Sequence, residues 1–390
     1  MQTVMNTELQ ITRVASPRQR REFILFPYRL YRDNPCWVPP LLSEEKKFLL
    51  RRHNPFLLNN RIELFLCRRG QETLGRIAAI LNLDHQRQHH DRCGFFGMFE
   101  CVDDARVAKK LFEAAGEWLS ENGADTLRGP TSFSLNGISG LLIDGFSLPP
   151  AILMAYNLPY YQALLENLGF SQAMRFFAYE VTDQTIKFPR AVDRLEKKLL
   201  DGGIRFRYMD FARAERDMAI IIDLFNQAWA ENWGFVPATI EEGLDDFKKM
   251  KLFAKPDLVI IAEKDGRPLG FSFSLPDANQ AIQPLAGRLF PFNWLRLLRN
   301  LKKIDRIRVT LMGVAKEFRN QGIDLMFYKK TAENAVRHGF FKAEMSWVLE
   351  SNEPMNRVLR HINAQLTKTY AVYEKSLAPP ERGMNSNSHC

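Results

Sequence analysis

Between Arg306 and Gly313 the chain alternates: Val309, Leu311 and Gly313 fall on one face, Thr310 and Met312 on the other. This is the pattern of a buried strand, ending where Gly313 frees the backbone. Arg319-Asn320-Gln321-Gly322 then opens a helix whose first turns carry Ile323, Met326 and Phe327 toward a core. The period returns to two over Lys342–Leu349, where Glu344, Ser346 and Val348 share a face and Glu350 follows at the end.

The rest of the chain reads as the same series of elements written twice. A strand over Gln10–Val14 precedes a basic helix from Pro17 to Tyr31 and then Asn34-Pro-Cys-Trp-Val-Pro39. A strand over Ile204–Phe211 precedes a helix with Met218, Ile221, Ile222, Phe225 and Trp229 on one face, leading into Asn232-Trp-Gly-Phe-Val-Pro237. A hairpin follows in each half: Ile62–Arg68, a Gly70 turn and Leu74-Gly75, against Leu258–Glu263, a Gly266 turn and Leu269-Gly270. Leu74 and Leu269 are 195 apart (269 − 74), as are Asn157 and Asn352 (352 − 157) and Leu164 and Leu359 (359 − 164). Tyr179-Glu180 and Tyr373-Glu374 are 194 apart (373 − 179). Recurrence at half the chain length predicts an internal duplication, with residues 1–185 as one domain and 186–390 as the other. The joint falls in the aperiodic stretch Thr182–Ala191.

Composition adds bounds. The chain has 390 residues, 46% hydrophobic and 25% charged, as expected of a two-domain globular protein. No apolar run approaches the length of a membrane span, and MQTVMNTELQITRV lacks the apolar core of a secretory leader. Five scattered cysteines without a C-x-x-C pair fit a reducing cytoplasm. The net charge of +9 favours anionic partners without specifying one. His85, His89 and Cys93 have spacing compatible with zinc, but a polar hairpin loop accounts for them, and no metal is expected. Neither a nucleophile elbow nor a complete phosphate loop of the nucleotide-hydrolase type occurs.

A helix N-terminus offers unpaired N–H groups and partial positive charge. Gly322 allows close approach to that backbone, and Arg319 adds a full charge, so the turn suits a diphosphate. VAKEFRNQGID resembles the acyl-CoA loop, Q/R-x-x-G-x-G/A, of the GCN5-related N-acetyltransferase (GNAT) superfamily. Arg319 and Gly322 match its first two fixed positions, while Asp324 stands where Gly or Ala is usual. The resemblance implies an α/β protein of tandem GNAT-like domains, each a mixed, mainly antiparallel sheet flanked by helices. It also implies acyl-CoA as co-substrate, bound by Val314, Arg319, Asn320, Gln321, Gly322, Ile323 and Asn352. Aligning Gly123 with Gly339 puts Asp103 opposite Arg319 and Asp104 opposite Asn320. Carboxylates at that helix start disfavour a diphosphate, so only the second half is expected to hold CoA.

Asn157 to Phe170 resembles the closing GNAT segment, but Leu165 stands where the frequent general-acid Tyr would be, and Arg360 takes that place in the second half. Tyr370, Tyr373 and His361 are nearby substitutes. Gly129-Pro130, Gly140 to Phe146, Pro149-Pro150, Asn232 to Phe235 and Ser346 to Glu350 together resemble a bacterial group of paired GNAT-like halves that includes the bacterial ceramide synthases. That resemblance implies N-acylation of an amphiphilic amine, a long-chain sphingoid base, by acyl-CoA. The readings beside it are acetylation of a small polar amine and a non-catalytic acyl-CoA- or lipid-binding protein.

An amine attacking a thioester needs preorganised donors for the oxyanion and a base for its proton. The N–H groups of Gly313 to Ala315 are the candidate donors. Glu350, with Asp277 as a second carboxylate, is the candidate base, and Tyr370 the candidate acid. Pro284–Arg308 carries an apolar stripe of Trp294, Leu297, Leu298 and Leu301, with Asn293 as its N-cap. Seven basic residues there face one acid, Asp305. Such a helix can lie on an anionic membrane, or equally pack over the acyl site with its basic face solvated; the expected location is cytoplasmic, with peripheral membrane contact in the first case.

Overall fold

The computed structural model describes residues 8–377, which leaves Cys390 outside the described residues. The first half contributes β1 (Leu9–Arg13), β2 (Arg61–Arg69), β3 (Glu72–Leu81), β4 (Cys93–Cys101) and β5 (Thr126–Gly129). A two-stranded ribbon follows, β6 (Thr131–Ser132) with β7 (Ser134–Ser139), then β8 (Leu141–Asp144) and a long β9 (Ser171–Thr182). Its helices here are α1 (Pro17–Leu30), α2 (Ala105–Glu121) and α3 (Tyr161–Asn167). The second half contributes β10 (Ile204–Tyr208), β11 (Val259–Lys264), β12 (Arg267–Pro276), β13 (Arg306–Val314), β14 (Lys342–Leu349) and β15 (Gln365–Ser376). Among its helices are α4 (Ala191–Asp201), α5 (Ala214–Trp229), α6 (Asn293–Leu301), α7 (Ile323–Arg337) and α8 (Glu353–His361).

All but the β6–β7 ribbon join one sheet in the order β1-β2-β3-β4-β5-β15-β9-β14-β13-β12-β11-β10, with β8 also on β15. Among the described residues only β4–β5 and β13–β14 pair in parallel. The sheet is continuous because the halves exchange their last strands. β9 pairs with β14 of the second half, and β15 pairs with β5 and β8 of the first. β9 and β15 also pair with each other, placing Phe176 opposite Tyr370, positions 194 apart (370 − 176). Equivalent residues facing one another mark a local twofold axis.

Local chemistry explains most element boundaries. Ser16 caps α1 in a reciprocal box with Gln19, and Pro17 occupies the first turn, where a missing N–H costs nothing. The apolar face of α2 is buried, with Ala108, Leu111, Ala115 and Leu119 fully shielded. Each large side chain buried this way contributes about 1.5–3 kcal/mol. β10 stops at Tyr208, short of the expected Phe211, because Asp210 caps a 3₁₀ turn over Phe211–Arg213. Val348 leaves the face of Glu344 and Ser346: β14 shifts register against β9 between Met345 and Val348, and Val348 packs with Met345 and Tyr179.

Each half reaches across to the other. Asn136 Nδ2 donates to the Val236 carbonyl at 2.6 Å and a His89 ring nitrogen lies 2.8 Å from the Phe235 carbonyl. Gln283 Nε2 reciprocates toward the Pro35 carbonyl at 2.7 Å. Gly234 allows the closest of these approaches. Its φ is 67° and a Cβ there would sit 2.3 Å from a Leu135 methyl.

Candidate active site

β13 and β14 pair for four residues, Arg306 to Val309 against Lys342 to Met345, and then part. β13 continues along β12, while β14 continues along β9. A wedge therefore opens toward their C-terminal ends. Ala315 donates to the Leu269 carbonyl at 2.8 Å, and Val314 stands opposite Gly270. An antiparallel ladder alternates bonded and non-bonded pairs, so Val314 turns its N–H and C=O into the wedge. This narrows the Gly313–Ala315 donor set to Val314.

The turn beyond is built to expose backbone. Asn320 and Gly322 have φ of 62° and 81°, and α7 starts at Gly322 without a side-chain cap. The first N–H groups of α7 point out of the turn, the arrangement that binds anions. Leu195 of α4 packs where a Gly322 Cβ would lie, 2.5 Å away. Arg319 folds back over the turn and donates to the Val314 carbonyl at 3.3 Å and the Ala228 carbonyl at 2.8 Å. Gln321 Nε2 donates to the Glu317 carbonyl at 3.3 Å. Asp324 acts along the helix flank: after burial, its charge is what raises the Tyr328 hydroxyl one turn on.

The first half holds the same wedge, closed. β4 and β5 pair over Cys93 to Phe95 and separate. Cys101 is the counterpart of Val314, each standing opposite the Gly of the preceding strand, Gly75 or Gly270. Its N–H donates to Tyr161 Oη at 3.0 Å and its carbonyl accepts from Tyr160 at 2.7 Å. Tyr161 and Tyr31 both donate to the half-buried Glu100, at 2.6 and 2.5 Å. Asp104 is the N-cap of α2, accepting from the Arg106 N–H at 2.9 Å. By helix start it stands opposite Gly322 rather than Asn320, since α2 has 17 residues and α7 has 15. The residues 195 beyond Tyr160 and Tyr161 are Met355 and Asn356 (355 − 160, 356 − 161). Asn356 turns aside to the Leu349 and Glu350 carbonyls at 3.0 and 3.2 Å, leaving the second wedge without a phenol plug.

On the opposite face of the sheet from α7 lies a buried ionic cluster that sequence reading missed. Lys368 Nζ donates to Glu344 at 2.8 Å, and Ser346 Oγ donates to the same carboxylate at 2.9 Å. Arg308 donates to the Ser346 hydroxyl at 2.9 Å, its carbonyl at 2.8 Å and the Ile152 carbonyl at 2.9 Å. Burial opposes ionisation of Glu344, yet Lys368, Arg306 and Arg308 hold it below the usual carboxylate range. Burial pulls Arg308 down to about 10. Tyr370 Oη and Trp347 Nε1 are buried beside this cluster without a partner. The guanidinium of Arg308 lies 5.6 Å from the Trp347 ring. Arg306 and Arg308 occupy alternate positions on an otherwise apolar strand, and that alternation was the available signal.

The candidate residues thus fall in five places. Val314, Arg319, Asn320, Gln321, Gly322 and Ile323 gather at the wedge and turn. Asn352 caps α8, accepting from the Met355 N–H at 3.2 Å. Asp277 is fully buried, bonded to Arg306 at 2.7 Å and to the Ile152 N–H at 2.7 Å, and burial raises it despite that partner. Tyr370 is buried on β15, its hydroxyl raised by burial and by Glu344. Glu350 alone of the three catalytic candidates reaches solvent, at the end of β14, 3.6 Å from Arg175. Tyr373 bonds Gln172 and Glu166, and His361 is exposed. Elsewhere, His85, Asp91 and Cys93 bring potential ligand atoms within 4.8 Å of one another, while His89 turns toward Phe235.

Comparison with known proteins agrees with this geometry. The fold matches a tandem GNAT protein from the clavulanic acid biosynthesis pathway, with a TM-score of 0.58 at 12% identity over 95% of this chain and 99% of that one. A GCN5-related N-acetyltransferase from Sphaerobacter thermophilus matches with a TM-score of 0.52 at 13% identity over 95% and 96%. No family model matches. The doubled fold and parted strands define the class: a protein of the tandem GNAT type. The bacterial ceramide synthase of Caulobacter vibrioides is 35% identical over 379 residues, 95% of this chain and 98% of the relative. Protein YghO of Escherichia coli is 35% identical over 366 residues, 92% and 93% of the two chains. The chain belongs to the family of these bacterial ceramide synthase-like proteins.

Proposed function

We propose that the protein transfers a long acyl group from acyl-CoA to the primary amine of an amphiphilic acceptor, a long-chain sphingoid base. The observation that carries the reading is the contrast between the wedges: one is filled by Tyr160 and Tyr161, the other opens beside an uncapped helix start. In it the α7 N-terminus and Arg319 receive the diphosphate, and the Val314 N–H stands where the pantetheine or thioester oxygen passes. The amine enters from the face that carries Arg308, Trp347 and Tyr370. Tyr370 remains protonated and so can donate to a developing charge. The similarity to a bacterial ceramide synthase supports a sphingoid acceptor. Mass spectrometry of products from purified protein, a mixed acyl-CoA pool and a panel of amines tests the assignment. An N-acylated sphingoid base is the expected main product, and acetylation of small polar amines alone would overturn it.

Glu350 is the proposed base, acting on the ammonium proton through water. Glu350→Gln is expected to lower kcat about 10²–10⁴-fold with acyl-CoA affinity unchanged. A variant within a factor of two of wild type would remove Glu350 from the mechanism.

The acceptor is met at a membrane surface. No described helix is long and apolar enough to cross a bilayer, but α6 and the turn before it suit its surface. Phe290 and Phe292 are 78% and 75% exposed, and Trp294, Leu295 and Leu298 also face outward. Leu297 and Leu301 pack inward instead of joining the exposed stripe. Asn293 is the first helical residue rather than the N-cap, its side chain donating to the Arg288 carbonyl at 2.8 Å. Arg306 and Arg308 are interior, which leaves Arg288, Arg296, Arg299, Lys302 and Lys303 as the exposed cations. Near an anionic membrane each contributes about 1 kcal/mol, screened by salt. Wild-type protein is expected to sediment with phosphatidylglycerol vesicles at low salt. Phe290→Ser with Phe292→Ser and Arg299→Gln is expected to abolish this while sparing CoA binding. Wild-type protein that ignores such vesicles would return α6 to a structural role.

A further inference from the structure

An apolar cavity of about 440 Å³ lies against the paired stretch of β13 and β14, on the α7 side of the sheet. Val309 and Met345, the last paired residues before the wedge, form its roof. Its wall on α7 is Tyr328, Thr331, Ala332 and Ala335. The volume falls within the range of small-molecule sites, about 300–1,000 Å³. Val309, Tyr328 and Met345 belong to one apolar cluster with Met312 and Val348, so hydrophobic lining runs from the cavity toward the wedge. Tyr328 Oη and Thr331 Oγ1 are buried on the wall without a hydrogen-bond partner.

The other end of the cavity points toward α6. Ala335, Ile307 and Phe340, all on the cavity wall, form one cluster with Leu297 and Leu301 of that helix. Val336 and Phe341, 46% and 47% exposed, stand at the mouth. We infer that this cavity holds the alkyl chain of the acyl donor, and that its mouth beside α6 lets the chain enter from a lipid surface. The inference rests on the acyl-transfer reading. The donor is favoured over the acceptor tail because the cavity wall is α7, the helix whose start receives the diphosphate. The acceptor face, with Arg308, Trp347 and Tyr370, is on the other side of the sheet.

The consequence is a binding affinity that rises with chain length. Calorimetry on the full-length protein with CoA and with hexadecanoyl-CoA, in the absence of an amine, is expected to show at least a roughly 100-fold advantage for the long thioester. Ala332 is only half-buried, so Ala332→Trp fills the cavity from its rim. It is expected to remove at least tenfold of that advantage, by the overpacking argument, with CoA affinity unchanged. Should Ala332→Trp fail to fold, Val336→Glu places a charge at the exposed mouth and is expected to act in the same direction. Equal affinity for CoA and hexadecanoyl-CoA in wild type, or an unaltered advantage in a folded variant, would overturn the inference. Competition by hexadecylamine against hexadecanoyl-CoA binding, but not against CoA binding, would also overturn it by giving the cavity to the acceptor. These readouts need no turnover, so they stand apart from the product assay. N-acylation with no effect of Ala332→Trp sinks the cavity assignment alone. Chain-dependent binding with no N-acyl product sinks the transfer reading alone.

Discussion

Glu344→Ala is expected to destabilise the protein by about 3–5 kcal/mol, the usual consequence of stranding a buried partner charge. Glu344 and Lys368 are 0% and 1% exposed at the side chain and 2.8 Å apart. Arg306 and Arg308 lie close enough to add to the field that holds Glu344 ionised. Removing the carboxylate leaves three cations around a dry cavity. Because the pair joins β14 to β15, both halves should lose stability together, as one shift in the urea midpoint. Replacing both partners, Glu344→Met with Lys368→Met, is expected to recover much of the loss, since a well-packed apolar pair can equal a buried ion pair. The sign with pH follows from the depressed carboxylate. Its contribution is present above the ordinary value of 4.5 and is lost as pH falls through the lower folded value. A Glu344→Ala loss under about 1 kcal/mol would show that the cluster is no stronger than a surface pair.

Arg319→Glu carries the largest expected effect on ligand binding, at least about a 100-fold loss of CoA affinity, as charge reversal beside a helix start predicts. Arg319 is exposed and bonds only carbonyls, so the fold should survive its loss. Gly322→Glu is a poorer probe, because its φ of 81° and the Leu195 contact make any side chain there a folding lesion. Asp104→Ala, at the equivalent helix start of the first half, is expected to cost about 1 kcal/mol of capping and to leave CoA affinity unchanged. Calorimetry of the three proteins decides the matter. Undiminished affinity in Arg319→Glu would move the donor site away from this turn.

Much of this architecture was legible in residue order. The alternation ending at Gly313, the basic turn and the helix behind it fall where the sequence places them, and the 195-residue spacing reappears as paired glycines, Gly75 and Gly270, opposite Cys101 and Val314. Period-two patterning fixes which face a residue takes, not which strand lies alongside, so the exchange of β9 and β15 was invisible. The same limit explains Arg306 and Arg308, grouped with the surface cations because their partners Asp277 and Ser346 are remote in sequence. The first-half plug was hidden for another reason. Tyr160 and Tyr161 read as ordinary helix residues until the fold brings them against Cys101. Glu350 was chosen for its place at a strand end and does lie at the open end of β14. Asp277, expected to approach from the preceding hairpin, sits behind Arg306, enclosed by a neighbour that no local pattern announces.

The exchanged strands also bear on ancestry and biosynthesis. A protein with one copy of this sequence would satisfy the same pairings only by lending its last strand to a second molecule, and the Phe176–Tyr370 crossing would then be an exact dyad. Such an ancestor is a closed homodimer, and joining two genes end to end would make it a single chain without altering a hydrogen bond. On the ribosome the order is costly: β5 waits for β15, the last described strand, so the first half keeps an open edge throughout synthesis of the second.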